Sequence, residues 1–214
     1  MTQLEQRPDI TFSLSGDSLH TLRRGVRAVA PHVSDDEFRP ILTGILIESD
    51  GNGGVKVCAL DSYTLAQASL NVYGLPEFKA LIPAVWLTKV MPGRKPHMSA
   101  TFEMTLDDEG VTWIDLDESE ASGKKLLNAD LYPDVDQLLI DNAMPKKDTK
   151  GERAFNPQYF ARVMKSATVF DDGDQTPVRV GQIDFLKPCR FESVSGDDRL
   201  VQLLMPVLIP ERGK

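Results

Sequence analysis

The feature that most constrains the fold of this chain is a pattern of strand, helix and hairpin that occurs twice. ILTGILIES and VKVCALD are β-rich runs separated by DGNGG, whose glycines and asparagine supply the positive φ that a hairpin turn needs. TFEMTL and VTWIDL form the second such pair, joined by an acidic turn. Because a strand and a helix precede each pair, the pattern predicts one supersecondary unit used twice, although no identity at a fixed period indicates a solenoid.

The predicted helices are amphipathic and are bounded by prolines. The residues predicted to face the core in the first and the third helix are Leu19, Leu22, Val26 and Val29, and Phe160, Val163, Met164 and Ala167. Pro31 ends the first helix, and Pro83 lies in the first turn of a short second helix. Asn156 is a good N-cap for the third helix, with Pro157 at its first position. A few helices laid on extensive antiparallel sheet predict an α+β fold.

A polar, proline-containing stretch divides the chain. Residues 128–152 read NADLYPDVDQLLIDNAMPKKDTKGE, which predicts a connection between two domains. We therefore expect a first domain at residues 1–127 and a second at residues 153–214. The second domain is rich in strands after its helix.

Composition excludes several classes of protein. The chain has 214 residues, of which 41% are apolar, and this is enough to bury a core. Its cysteines, Cys58 and Cys189, are too far apart for a CxxC metal or redox site. The polar N-terminus lacks an apolar signal region, and no run of about 18 apolar residues indicates a membrane span. These features predict a folded protein of the reducing cytoplasm.

Sequence motifs for catalysis are absent. His20, His32 and His97 share no metal-ligand spacing, and neither GxSxG, HExxH nor a phosphate-binding GxxxxGK[ST] loop occurs. DGNGG does not satisfy the calcium-binding loop pattern, and a hairpin turn accounts for it. We expect no enzyme activity, no metal and no cofactor.

The distribution of charge is more informative than its sum. The formal net charge of −8 argues against a simple nucleic-acid binder, because phosphate contacts are made by clustered Lys and Arg. Each predicted helix is nonetheless basic, while acidic residues gather in turns and loops. The basic residues on or next to the three helices are Arg23, Arg24 and Arg27, then Lys89, Arg94 and Lys95, then Arg162 and Lys165. Helical geometry places the first three on one exposed flank, which is either an ordinary solvated face or, if the helices converge, a surface for phosphate.

Several blocks of the sequence resemble the bacterial DNA polymerase III beta sliding clamp, in the order in which that family has them. RPILTGILIES followed by VKVCALDSYTLA resembles the family's middle domain, where an Arg-anchored strand with a central Gly precedes an Ala-Thr-Asp-Gly-x-Arg-Leu-Ala hairpin edge. The other blocks are LIP before the second helix, LYPD at the domain exit, FNPQYFARVMKSA and the terminal LLMPV. The resemblance extends from Ile10 to Val207.

This resemblance implies a DNA-clamp fold, in which antiparallel sheets lie outside and a few helices line a central channel. The basic helix residues would then face DNA phosphates without reading base sequence. Nothing in the chain corresponds to the family's first domain, and the second domain looks shortened, which is expected of a phage or plasmid replication system. Family rings close with six domains, so two domains per chain imply a trimer, whereas three helical units per chain leave that count open.

The resemblance also implies a pocket for short peptides from polymerases and clamp loaders, in a groove between two domains. Its residues here would be Leu42, Leu60, Ser62, Tyr63, Thr64, Leu65, Pro133, Pro188, Leu203, Met205, Pro206 and Val207. The set is largely apolar, as an anchor pocket requires, and ordinary core packing is the alternative, above all for Leu42, Leu65 and Leu203. Ser62 and Thr64 stand where the family usually has Gly and Arg, so we expect an altered partner preference.

The predicted function is that of a DNA polymerase processivity factor, a homo-oligomeric ring that encircles duplex DNA. Its expected partners are double-stranded DNA, a DNA polymerase, a clamp loader and further copies of itself, with no membrane. The alternative is a clamp-like adaptor or decoy that keeps the peptide pocket without closing a ring. A metal-dependent nuclease would need converging carboxylates, which the sequence does not show.

Overall fold

The structure is a computed structural model, and its description covers most of the chain. The described ranges are residues 9–91, 101–108, 110–116, 120–144, 154–171, 177–181 and 187–207. Two of the predicted DNA-facing residues, Arg94 and Lys95, lie outside these ranges.

Antiparallel strands dominate the described chain, with a small number of helices between them. The strands are β1 (Ile10–Ser15), β2 (Gly44–Asp50), β3 (Gly54–Leu60), β4 (Thr64–Asn71), β5 (Glu77–Pro83), β6 (Thr101–Leu106), β7 (Val111–Asp115), β8 (Glu120–Lys124), β9 (Arg179–Gly181), β10 (Cys189–Ser195) and β11 (Asp198–Leu204). The α-helices are α1 (Gly16–Val29), α2 (Ala84–Val90), α3 (Val135–Asp141) and α4 (Pro157–Asp171). The predicted α+β fold class, both predicted hairpins and the three predicted helices are confirmed.

The strands form two antiparallel sheets. The larger sheet has the order β5-β2-β3-β4-β11-β10-β9, and the smaller has the order β1-β6-β7-β8. In the larger sheet β4 pairs with β11, with Leu65 opposite Leu203. This pairing joins chain segments from either side of the predicted connection at residues 128–152, so one sheet runs continuously across it.

One face of the seven-stranded sheet, which we call the inner face, is covered by α1 and α4. The α1 residues Leu19, Leu22 and Val26 are buried in the same core as Val57 and Ala68 of the sheet. Helix α4 lies beside α1 and packs against β10 and β11. The apolar stripe of α1 is therefore buried as its spacing predicts.

The opposite face of this sheet, which we call the outer face, has its own apolar cluster. Successive residues of a strand point to opposite faces, so Val57 contributes to the inner core while Cys58 contributes to the outer cluster. Leu81 of β5 and Val201 of β11 lie in the same outer cluster. Because both faces are covered, the central strands are buried on both sides.

The described part of the predicted connection contains a helix that the sequence analysis did not identify. Asp134 caps α3 by accepting a hydrogen bond from the Gln137 amide at 2.9 Å. Val135 and Leu139, four positions apart on one side of α3, are buried in the outer cluster. The described residues that follow Asn128, up to residue 144, are therefore part of the packed structure, and the predicted division into domains remains a prediction.

None of the helices in the described ranges is long and apolar enough to cross a membrane.

Candidate nucleic-acid interface and partner pocket

Helices α1, α2 and α4 meet around an open cleft with a volume of about 550 Å³. Its lining residues are Arg27, Ala30, Pro31, Thr88, Met91, Lys165 and Val169. Arg27 and Lys165 are exposed and come from different helices, with Thr88 of α2 lining the same cleft. The helices thus converge, which is the condition under which their basic residues form one surface rather than separate solvated faces.

Lys89 and Arg23 lie close in sequence to residues that line this cleft but are not among its lining. Lys89 is exposed in the last turn of α2, one residue after Thr88. Arg23 is half-buried on α1, one helical turn before Arg27. Long cationic side chains at such positions can reach a polyanion that approaches the cleft.

Arg24 does not lie on the exposed flank where helical geometry predicted it. Its side chain is only 13% exposed and forms an ion pair with Asp198, which is 10% exposed. It also donates to the Ser195 hydroxyl at 3.0 Å and lies over the ring of Phe170, 5.1 Å from the centroid. The prediction of an exposed Arg24 is wrong because residues distant in sequence close over it: Phe170 is on α4, and Asp198 begins β11.

Arg162 also pairs with an aspartate, at the turn between β3 and β4. Its Nη1 donates to Asp61 Oδ2 at 2.9 Å, and its guanidinium lies 5.1 Å from the centroid of the Tyr159 ring. The Arg162 side chain remains 37% exposed. Arg162 is therefore placed at the predicted partner pocket, whereas Lys165, one turn later on α4, lines the cleft.

The turn between β3 and β4 is organised by Asp61. Its Oδ1 accepts hydrogen bonds from the amides of Tyr63 and Thr64, each at 2.7 Å, and from the Thr64 hydroxyl at 3.2 Å. A carboxylate that accepts several backbone N–H groups in this way fixes the local chain direction. The turn consequently holds Tyr63 outward, and the residue is 52% exposed.

Tyr63 is the centre of the predicted pocket as the structure builds it. Its ring stacks on that of Tyr159 with centroids 4.8 Å apart and an interplanar angle of 19°. Its carbonyl oxygen accepts a hydrogen bond from the Met205 amide at 2.9 Å, and the Met205 side chain is 39% exposed. The structure thus brings together the β3–β4 turn, α4 and the segment after β11, with two aromatic rings and a thioether at the surface. Such residues suit an adaptable apolar contact.

The remaining predicted pocket residues fall into three environments. Leu42, Leu60, Leu65 and Leu203 are buried in the outer cluster, and Thr64 is buried beside Asp61. Pro133, Pro188 and Pro206 are half-buried, next to α3, β10 and β11 respectively. Ser62 and Val207 are exposed. The leucines therefore form core beneath the surface, which is the alternative that the sequence left open for them.

Three residues at this surface were missed by the sequence analysis as pocket residues: Arg39, Asp61 and Tyr159. Arg39 donates from Nη1 to the Ser62 hydroxyl at 2.6 Å and from Nε to Asp36 at 2.7 Å. The hydrogen bond from Arg39, together with the Phe38 amide, lowers the pKa of the Asp36 carboxyl. A signal was present for Asp61, since DSYT at a hairpin edge is typical of an Asp-centred turn, but the contact between Tyr63 and Tyr159 depends on tertiary structure.

Solved bacterial sliding clamps share this fold. The beta subunit from the DNA polymerase of Streptococcus pyogenes is 17% identical to the chain, with a TM-score of 0.70, and the match covers 98% of this chain and 68% of that one. The DNA polymerase sliding clamp from Bacillus subtilis is 19% identical, with a TM-score of 0.65 and coverages of 98% and 66%. For the sliding clamp from Pseudomonas aeruginosa with ligand, the identity is 16%, the TM-score 0.70 and the coverages 98% and 69%.

The chain therefore has the DNA-clamp fold that the sequence resemblance implied, and it spans about two thirds of the length of these structures. No protein-family model matches the sequence, and neither does any curated protein.

Proposed function

We propose that this chain, which has the fold of the bacterial DNA polymerase sliding clamps, is a processivity factor that encircles duplex DNA and tethers replication proteins to it. The observation that carries the proposal is the convergence of α1, α2 and α4 on one cleft, with Arg27 and Lys165 on its walls. Although the chain as a whole is acidic, the helices that cover the inner face of the sheet carry exposed cations, and these helices line the channel in a clamp fold. The proposed action is topological and requires no catalytic group or cofactor.

In this proposal Arg27 and Lys165 are the primary contacts to DNA phosphate. Arg23 and Lys89 extend the basic surface on the same helices, and the resemblance adds Arg94 and Lys95. Contacts of this kind attract any sequence equally, so the protein remains able to slide. We place Arg24 and Arg162 outside this proposed surface, because the Arg24 side chain is only 13% exposed and Arg162 reaches to Asp61 at the β3–β4 turn.

The proposed ring forms by pairing of sheet edges between copies of the chain. Within the described ranges the seven-stranded sheet ends at β5 and β9, and the four-stranded sheet ends at β1 and β8. Edge strands present unpaired N–H and C=O groups that favour association with another strand. We propose a closed cyclic homo-oligomer, with a trimer favoured.

The proposed tether is the surface around Tyr63, Tyr159 and Met205. These side chains belong to three separate elements and leave apolar area exposed, as an anchor site for a peptide of a polymerase or clamp loader would. Ser62 is exposed at this surface where the family usually has Gly, whereas Thr64, which stands in place of the family's Arg, is buried beside Asp61. In the described part of the chain no group of three or more His, Cys, Asp or Glu could hold a metal ion.

The test is retention on closed circular DNA, compared with retention after the circle is linearised. We expect the wild-type chain to stay on closed circles and to leave linear DNA. Replacing Arg27 and Lys165 together by Glu should shorten retention about tenfold or more, and wild-type retention should fall with rising salt. Both side chains are exposed, so the double variant should fold and assemble normally.

The matched control is Lys56→Glu with Lys79→Glu, which produces the same change in net charge on the outer face. Lys56 pairs with Asp136 of α3, and Lys79 pairs with Glu48 of β2. This variant should retain DNA almost as well as the wild type. Equal retention of the wild type on closed and linear DNA would contradict encirclement and favour the adaptor hypothesis.

A further inference from the structure

The guanidinium of Arg162 bridges two parts of the chain that meet at the proposed tether. We propose that Arg162 is a positioning residue of the partner pocket, which holds the Tyr63–Tyr159 pair together, and that it does not contact DNA. The inference assigns Arg162 away from the basic channel surface where the sequence resemblance placed it. Its importance for partner binding rests on the proposed tether, whereas its effect on the tyrosine pair does not.

Arg162 contacts both of the segments that carry the stacked tyrosines. Asp61, its ion-pair partner, lies two residues before Tyr63, and Tyr159 lies one helical turn before Arg162 on α4. The same side chain therefore contacts the turn that carries one ring and the ring of the other tyrosine. An arginine can do both at once because its planar guanidinium donates hydrogen bonds at its edge and packs on an aromatic ring with its face.

Asp61 is a rigid partner for this bridge. One of its carboxylate oxygens accepts three hydrogen bonds from the turn at residues 61–64, and the other accepts from Arg162. The Asp61 side chain is 10% exposed in the paired state. One orientation of the guanidinium contacts both the acceptor on the turn and the Tyr159 ring on α4.

Apart from the bridge and the stack, each ring is held within its own segment, and Tyr159 also packs against the cluster that contains Val163 and Phe191. Tyr63 is anchored by its own amide and by the Met205 amide, and Tyr159 lies in the first turn of α4. Stacked aromatic pairs contribute about 1 kcal/mol, too little to hold an exposed side chain in one rotamer by themselves. The ion pair and the stack therefore support each other, and the pocket shape depends on both.

Lys165 provides the matched comparison, because it lies three residues after Arg162 on the same helix but lines the inner cleft. We expect each of the variants Arg162→Gln and Lys165→Gln to alter one of two measurements and to leave the other unchanged. Arg162→Gln should change the ring environment of Tyr63 and Tyr159 and leave DNA retention within about twofold of wild type. Lys165→Gln should reduce DNA retention and leave the rings unchanged.

The first measurement is ¹⁹F NMR of the full chain labelled with 3-fluorotyrosine, with Tyr63→Phe and Tyr159→Phe used to assign the two resonances. Stacking shifts both resonances away from the values in the unfolded chain. In Arg162→Gln both should move toward those values, and Arg162→Lys, which can still reach Asp61, should restore the shift in part. Thermal unfolding of each variant shows that the effect is local. Unchanged tyrosine resonances in a folded Arg162→Gln variant would overturn the inference.

The second measurement is binding of fluorescein-labelled synthetic peptides that each contain two large apolar residues, chosen because the surface around Tyr63, Tyr159 and Met205 is apolar, together with retention on closed circles. Arg162→Gln should weaken the tightest peptide about tenfold, and Lys165→Gln should change it less than twofold. Loss of DNA retention in Arg162→Gln equal to that in Lys165→Gln would overturn the inference. Failure of every peptide to bind the wild type would contradict the proposed tether, while the NMR result would still decide the role of Arg162 in the tyrosine pair.

Discussion

Arg24 and Arg162 are two arginines in the same chemical situation whose surroundings give them different roles. Each lies on an inner-face helix, pairs with an aspartate far away in the sequence and packs on an aromatic ring. Arg24 is 13% exposed, however, and Arg162 is 37% exposed. The difference shows that the same pair of residue types can form a bridge that is almost fully buried or one that stays accessible to solvent, according to what covers it.

Arg24 binds together elements that are distant in the sequence. Its partner Asp198 also accepts a hydrogen bond from the Asn71 amide at 2.8 Å, so the node joins α1, the end of β4 and the start of β11. Phe170 of α4 lies on the guanidinium. The bridge at Arg162 joins only the β3–β4 turn to α4.

The largest expected effect follows from breaking the buried bridge. Arg24→Ala leaves Asp198 charged and mostly buried, and this should lower the free energy of unfolding by about 3 to 4 kcal/mol. Urea denaturation measures the change. Lys89→Ala, an exposed cation on α2, is the control and should change stability by less than about 0.5 kcal/mol. A loss below about 1 kcal/mol for Arg24→Ala would show that the node is solvated.

The sequence contained enough information for the hairpins and the inner helices, because their signals are local. The DGNGG turn and the spacing of Leu19, Leu22 and Val26 depend on neighbouring residues only. The surroundings of Arg24 are not local, since α4 and β11 close over it from more than a hundred residues away. Helical periodicity states which side of a helix a residue occupies, but not which distant segment meets that side.

Helix α3 was not predicted either, although part of its signal is present in the sequence. Val135 and Leu139 are four residues apart and follow an aspartate that is a good N-cap. The helix has only two turns, and the prolines and charges on both sides outweigh this short stripe. For the candidate site, the resemblance identified Tyr63 and Met205, whereas Tyr159 and Asp61 became evident only from contacts between elements.

The second largest expected effect concerns His32, which follows α1 and makes polar contacts with Ser166 of α4 and Gln202 of β11. His32 is fully buried, and its Nε2 lies 3.0 Å from the Ser166 hydroxyl and 3.1 Å from Gln202 Oε1. Because Oε1 only accepts, we assign the proton to Nε2, which leaves Nδ1 as the basic nitrogen. Burial is the main cause that lowers the pKa of His32 to about 4, and the nearby Arg162 charge lowers it further, against a hydrogen bond to Gln202 that raises it.

The sign of the pH dependence follows from this lowered pKa. In the unfolded chain His32 binds a proton below its ordinary pKa of about 6.5, whereas the folded chain binds it only near pH 4. Stability contributed by the neutral form is complete above pH 6.5 and is lost as the pH falls toward 4, by up to about 3 kcal/mol. Urea denaturation at a series of pH values should show this loss in the wild type and a smaller slope in His32→Gln. Identical slopes in the two proteins would contradict the assignment.

The third expected effect is the coupling energy between the arginine and the aspartate in each of the two bridges. A double-mutant cycle of Arg162→Gln with Asp61→Asn should give a coupling of about 1 kcal/mol or less, because water screens a pair that is 37% exposed on one side. The same cycle for Arg24→Gln with Asp198→Asn should give a coupling at least twice as large. Raising the salt concentration should reduce the first coupling more than the second. Equal couplings with equal salt dependence would remove the distinction between the two bridges.

The smallest expected effect is the coupling energy within an exposed ion pair on the outer face. Lys56 pairs with Asp136 of α3, but the two side chains are 41% and 53% exposed. The hydrogen bond to Asp136 is the main cause that raises the pKa of Lys56. Water and salt nevertheless compete with it, and the coupling between Lys56→Gln and Asp136→Asn should be about 0.3 kcal/mol at low salt. A coupling here as large as that of Arg162 with Asp61 would mean that exposure does not rank these bridges, and the role of Arg162 would then rest on its contact with Tyr159 rather than on its charge.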